Sequence, residues 1–215
     1  MQNKSRQLWR EMWRRLSSPG GLTEICEDYA LLRLVAEYCQ PRRFYHTTDH
    51  IEHCIAEFDE ARHLAANPTE VEFALWFHDA VYDPMKKDNE EQSVLFALEI
   101  GRECGVSEDF LQRVGALIME TKHSSIPDND DGQLIVDIDL AILGQPDEAF
   151  DKYEENIRKE YSFVPEDVFK VRQAEILQSF LDRPSIYYIE FFRQKYEAQA
   201  RRNLQRSIQK LKSPG

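Results

Sequence analysis

Apolar residues recur at intervals of three and four along most of the chain, as at Leu8, Met12 and Leu16, at Ile51, Cys54, Ile55 and Phe58, and at Val114, Leu117 and Ile118. This is the period of helices that bury one face. No stretch alternates apolar and polar residues between hairpin turns, so the fold class expected is all-α. The pattern predicts helices over 4–18, 22–40, 49–66, 69–81, 89–104, 107–122, 132–143, 147–161, 166–182 and 185–211. Helix-breaking chemistry separates them: Pro19-Gly20-Gly21, Pro41, Asn67-Pro68, Asp83-Pro84, Gly105, Pro127 to Gly132, Gly144 with Pro146, Pro165 and Pro184. No linker-like run divides the 215 residues, so one domain is expected, with core motifs over 45–144 and further helices over 147–211.

One predicted helix breaks the amphipathic rule. In Glu72-Phe-Ala-Leu-Trp-Phe-His-Asp-Ala-Val-Tyr-Asp-Pro84 the run Val71–Phe77 holds a single polar residue, Glu72, so this helix should be surrounded by others. Pro84 ends it and leaves His78 and Asp79 in its last turn, where the partial negative charge of a helix end favours a cation. A carboxylate buried there needs a partner, and a metal ion would serve.

Three other segments bring candidate ligands. On the helix opening near Asp49, His50 flanks the apolar stripe, whereas His53 falls with Glu57 and Glu60 on the wet face; His46 lies one turn before His50. In Gln133–Leu143 the wheel sets Asp139 among Ile135, Ile138, Ile142, Val136, Leu140 and Leu143, with Asp137 on the opposite side. His123 ends the helix that runs to Lys122, away from its apolar face.

Net charge is −12 and uneven. Residues 1–16 carry five Lys/Arg against one acid and residues 190–215 carry seven against two, which leaves 15 basic and 36 acidic groups between them. Such a body repels polyanions, so no duplex nucleic acid is expected as a partner. No apolar run is long enough to span a bilayer and no signal-peptide core is present, so no membrane partner and a cytoplasmic location are expected. The basic first helix loosely resembles a transit peptide, and its Leu8, Met12 and Leu16 spacing equally fits a packed helix. Cys26, Cys39, Cys54 and Cys104 form no CxxC pair and read as buried free thiols in a reducing compartment.

His50, His78, Asp79 and Asp139 together make a donor set of two imidazoles and two carboxylates, suited to one divalent ion: Zn, Mn, Fe, Co or Mg. The order His50, His78-Asp79, Asp139 resembles the HD-domain superfamily of metal-dependent phosphohydrolases. Tyr45-His46-x3-His50, Ala74–Pro84, Asp88-Asn-Glu-Glu-Gln-Ser93 and Asp137–Gly144 look like a bacterial-type branch of that superfamily, over about residues 8–206. The resemblance implies an all-α fold with those four ligands. Tyr45-His46-x3-His50 is also similar to the opening motif of cyclic-nucleotide phosphodiesterases, which implies that His46 is a general acid and His50 a ligand. Thr47 departs from that motif, and Tyr82 stands where those enzymes carry a further histidine.

The function expected is therefore hydrolysis of a small phosphate ester, a nucleotide or related metabolite, by a metal-activated water. Asp79 and Glu91 are candidates to orient the water or His46, and Lys122, His123 and Arg158 are candidates for substrate binding. The alternative is a non-catalytic nucleotide- or metal-binding regulatory module. Another keeps the basic terminal helices for partner binding on an idle body.

Overall fold

The computed structural model describes residues 3–16 and 24–213. The predicted Pro19-Gly20-Gly21 break and the start of the second predicted helix lie outside the described residues. The fold is all-α, and among the described residues there is no strand. The chain divides into two compact units, Met1–Ile138 and Asp139–Gly215.

The first unit contains α1 (Asn3–Leu16), α2 (Glu24–Tyr38), α3 (Thr48–Ala61), α4 (Pro68–Phe77), α5 (Asn89–Glu103), α6 (Glu108–Glu120) and most of α7 (Asp130–Asp139). Pro68 opens α4 at a position where its missing N–H costs nothing. Every residue of α4 from Glu70 to Phe77 is buried, and α1, α3, α5 and α6 all pack on it. The absence of a wet face in the sequence of this helix thus has its reason.

The acid inside that run is paired. Glu72 is fully buried and accepts from Arg15 of α1 and, at 2.7 Å, from Arg62 after α3. Breaking such a pair would strand a buried charge. The basic residues of α1 therefore include one that clamps the central helix. Its buried stripe is Trp9, Met12 and Trp13, with Leu8 and Leu16 only half-buried, and Trp9 meets Trp76 edge to face at 5.3 Å.

The cysteine expectation is corrected in part. Cys26 on α2 and Cys104 just after α5 are joined in a disulfide, while Cys39 is exposed and free and Cys54 is buried and free. The bonded pair is 78 positions apart, and spacing alone does not reveal such pairings.

The second unit holds a 3₁₀ turn (Leu140–Gly144), α8 (Asp147–Glu160), α9 (Glu166–Leu181) and a last helix. That helix starts as α10 (Glu190–Phe192), widens into a π turn over Arg193–Glu197 and continues as α11 (Ala198–Lys212). It begins five residues later than the predicted 185, because Glu197 gathers Ser185 Oγ and the Ile186 N–H and holds that stretch as a loop. Asn203 of α11 donates to the carbonyls of Leu143 and Gln145, both at 2.8 Å, and Tyr187 donates to Leu140 at 3.0 Å. The Leu143 and Gln145 carbonyls lie at and past the end of the 3₁₀ turn, where no helical partner follows. Among the described residues no helix is long and apolar enough to cross a membrane.

Candidate metal centre

Thr47 caps α3 by accepting from the Asp49 N–H, so His50 enters in the first turn with its ring buried. The cap is Thr47, two residues before Asp49, so the helix already starts at Thr48. α4 ends at Phe77, and His78 and Asp79 form the tight turn that follows rather than the last helical turn. That turn is fixed on its far side by α5: Ser93 Oγ accepts from the Val81 N–H and donates to the Val81 carbonyl, and Asn89 exchanges two bonds with Asp83.

The geometry brings His50, His78 and Asp79 to one point. His50 Nε2 and His78 Nε2 are 3.2 Å apart, and Asp79 Oδ2 is 3.2 Å from each. His78 Nδ1 lies 2.9 Å from the Leu75 carbonyl, which can only accept, so Nδ1 carries a proton. In the neutral ring Nε2 then presents a lone pair to the other two atoms. A backbone partner that fixes the tautomer in this way is what metal-binding imidazoles require. Three electron-pair donors facing one another repel unless a cation or added proton lies among them. Donor atoms about 2.0 Å from a tetrahedral centre stand about 3.3 Å from one another, so the triangle fits a transition-metal ion.

Asp139 is the last residue of α7, carried by a helix whose preceding residues belong to the first unit. With His50, Cys54 and His78 it forms a group whose ligand atoms all lie within 4.8 Å of one another, and this group could hold a metal ion. Cys54, which the periodicity sets in the apolar stripe, is the unexpected member. Its signal was there, since it stands four residues after His50 on the same helix face. Its Sγ is 3.7 and 3.8 Å from the two ring nitrogens of His50, beside the imidazole rather than along the Nε2 lone pair. Asp79, at 3.2 Å from both histidines, is the better-aimed donor.

The burial expected of the two aspartates is reversed. Asp137 is fully buried, and Asp139 is only partly so. α7 is apolar around most of its circumference, and the side the wheel gives to Asp137 is not a wet one. His53 does stay half-exposed, 3.6 Å from Glu57, whereas Glu57 itself is buried.

Electrostatics single out Asp79. Burial by itself would raise its carboxyl, but His78 and His46 in their protonated forms, with the bonds to His50 and His78, outweigh it and hold the group well below the usual carboxylate range. His46 is not a member of the converging set. Its ring stacks on Tyr82 at 3.9 Å and 25° and stands edge-on to His50 at 5.9 Å. Tyr82 thus supports His46 at the position where the phosphodiesterase motif has its additional histidine.

The start of α5 borders the same place. Burial raises the Glu90 carboxyl and the negative Asp79 adds to the effect. Lys122, just past α6, pairs with Glu91 and donates to the Lys87 carbonyl at 3.2 Å; the pair lowers the Glu91 carboxyl and raises the Lys122 ammonium. His123 follows with φ +53°, a left-handed conformation that glycine usually takes at a helix end. Arg158 belongs to the second unit. Its three nitrogens donate to Glu166 and to the carbonyls of Tyr161 and Val164, and so it closes the α8–α9 turn.

Comparison with protein-family models, curated proteins and solved structures finds no match to this chain.

Proposed function

We propose that this chain is a metal-dependent hydrolase of small phosphate esters built on an HD-type scaffold. The observation that carries the reading is the 3.2 Å triangle of His50 Nε2, His78 Nε2 and Asp79 Oδ2, with a further imidazole, His46, supported beside it. His50, His78, Asp79 and Asp139 would hold the ion. Two imidazoles favour Zn, Fe, Co or Mn over Mg, which prefers oxygen donors. Such an ion, when bound, supplies Lewis acidity to a phosphoryl oxygen and lowers the pKa of a water.

The remaining steps belong to the side chains. His46 would donate a proton to the departing alkoxide oxygen, for which its stacking on Tyr82 sets the plane of the ring. Asp79 would use its second oxygen to orient the attacking water. Lys122 would meet a substrate phosphate in competition with Glu91, and the backbone strain at His123 is of the kind that accompanies binding sites. A small substrate suits this arrangement, because the surrounding body is acidic and only a few cations are at hand.

The test is to strip the protein with chelator, restore Zn, Mn, Fe or Co singly, and assay phosphomonoesters, cyclic nucleotides and dinucleotides. Metal-dependent release of phosphate or ester product supports the reading. Metal bound at one equivalent with tight retention of a nucleotide and no turnover would replace it with a regulatory binding module.

A further inference from the structure

Arg43 is buried, with 5 % of its surface exposed, yet among the described residues its hydrogen bonds go to main-chain carbonyls and not to a carboxylate. Nη1 donates to the His46 carbonyl at 3.2 Å and to the Asp79 carbonyl at 2.6 Å; Nη2 donates to the Ala80 carbonyl at 2.7 Å. Its guanidinium lies over two rings, 5.0 Å from the centroid of Tyr38 and 5.8 Å from that of Tyr82. Tyr38 in turn donates to the Trp76 carbonyl at 3.2 Å. Burial pushes this phenol well above its ordinary pKa, so it is a neutral donor.

These bonds have a common target. The carbonyls of Trp76, Asp79 and Ala80 lie at and just past the C-terminal end of α4, where a helix leaves acceptors unpaired and where a cation is favoured. A buried cation there would be costly without such acceptors. Nη1, in addition, bonds to both the His46 and the Asp79 main chain and so ties the two together.

We propose that Arg43 is a positioning residue that sets His46 and Asp79 at a fixed separation, so that the proton donor and the ligand turn move as one piece. This rests on the phosphohydrolase reading for the role of His46, but not for the placement of Asp79. Arginine is required because its planar fork reaches three carbonyls while keeping contact with two rings; the ammonium of lysine offers neither the plane nor the span.

The experiment uses Arg43→Lys and Arg43→Met in the full chain. Zn2+ affinity, measured by chelator competition, should weaken about tenfold in R43M and less in R43K, as for other changes behind a ligand. At saturating metal, kcat on an alkyl phosphate should fall about a hundredfold in R43M with KM little changed, since a displacement of about 1 Å costs that much. R43K should fall less, and it should add little to the loss already present in His46→Ala. Melting in chelator and in metal distinguishes a scaffold role: a mere support would lower both temperatures equally and leave Zn2+ affinity as in the wild type. That result, or a kinetic loss that adds in full to H46A, would overturn the assignment. A wild type that turns over no ester in the panel would sink the hydrolase reading alone, and the Zn2+ affinities still decide the role of Arg43.

Discussion

Asp139→Asn removes a charge while keeping volume, so it tests whether the end of α7 supplies a ligand. An ion bound only by the folded state, at a hundredfold excess over its Kd, stabilises that state by about 2.7 kcal/mol. For a chain of this length about 1 kcal/mol moves the melting temperature by roughly 2–4 °C, so wild-type protein should melt about 5–11 °C higher with metal than with chelator. Loss of a ligand should weaken binding at least as much as the strongest changes behind ligands, about a hundredfold. At the same metal concentration the stabilisation drops to about 0.4 kcal/mol, and the increment to about 1 °C. The readout is the difference between paired melts in chelator and in metal, so damage to folding cancels. This matters for the control, Asp137→Asn, because Asp137 is fully buried and its substitution will lower both melts. An increment kept in D139N and lost in D137N would refute the assignment of the ligand.

His46→Ala should keep the metal increment, lose about a hundredfold or more in kcat on an alkyl phosphate and retain much of its rate on a nitrophenyl phosphate, whose leaving group needs little protonation; equal loss on both substrates would point to positioning instead. Reduction of the Cys26–Cys104 disulfide, or Cys26→Ser, should cost up to about 4.5 kcal/mol by chain entropy, read as a lower melting temperature with dithiothreitol, and an unchanged melt would show that the bond adds nothing. Gly144→Ala should destabilise by about 1–3 kcal/mol in urea titration, because its new Cβ would stand 2.4 Å from Tyr196 Cβ, and a neutral result would mean that the π turn yields. Random duplex DNA at physiological salt should show no submicromolar, steeply salt-dependent binding, since the acids outnumber the bases by twelve.

What the sequence made legible, and what it hid, follows from the kind of information periodicity carries. It located the helices because each amphipathic one repeats its stripe several times, and it marked α4 as central because a helix without a wet face has to be enclosed. It also drew attention to His50 and Asp139 as groups set among apolar neighbours, and they do stand in one group with His78. It gave no warning of Arg43, whose role depends on carbonyl ends that no residue type encodes. Nor did it show the disulfide, since one partner is on α2 and the other just past α5, far apart in the chain.

The aspartates of α7 show where a wheel stops being informative. A wheel of 100° per residue sorts side chains by direction, but which direction is solvent must come from a polar face, and α7 has Leu134, Ile135, Val136 and Ile138 buried around its circumference. Beyond Asp139 even the direction fails. Leu140–Gly144 is a 3₁₀ turn of about 120° per residue, so by Leu143 the true position has drifted roughly 80° from the helical one. Leu140 and Leu143 therefore said little about the surroundings of Asp139. Its candidacy rests instead on where α7 ends, with the carboxylate beside His50 and His78, and burial alone would have selected its neighbour Asp137.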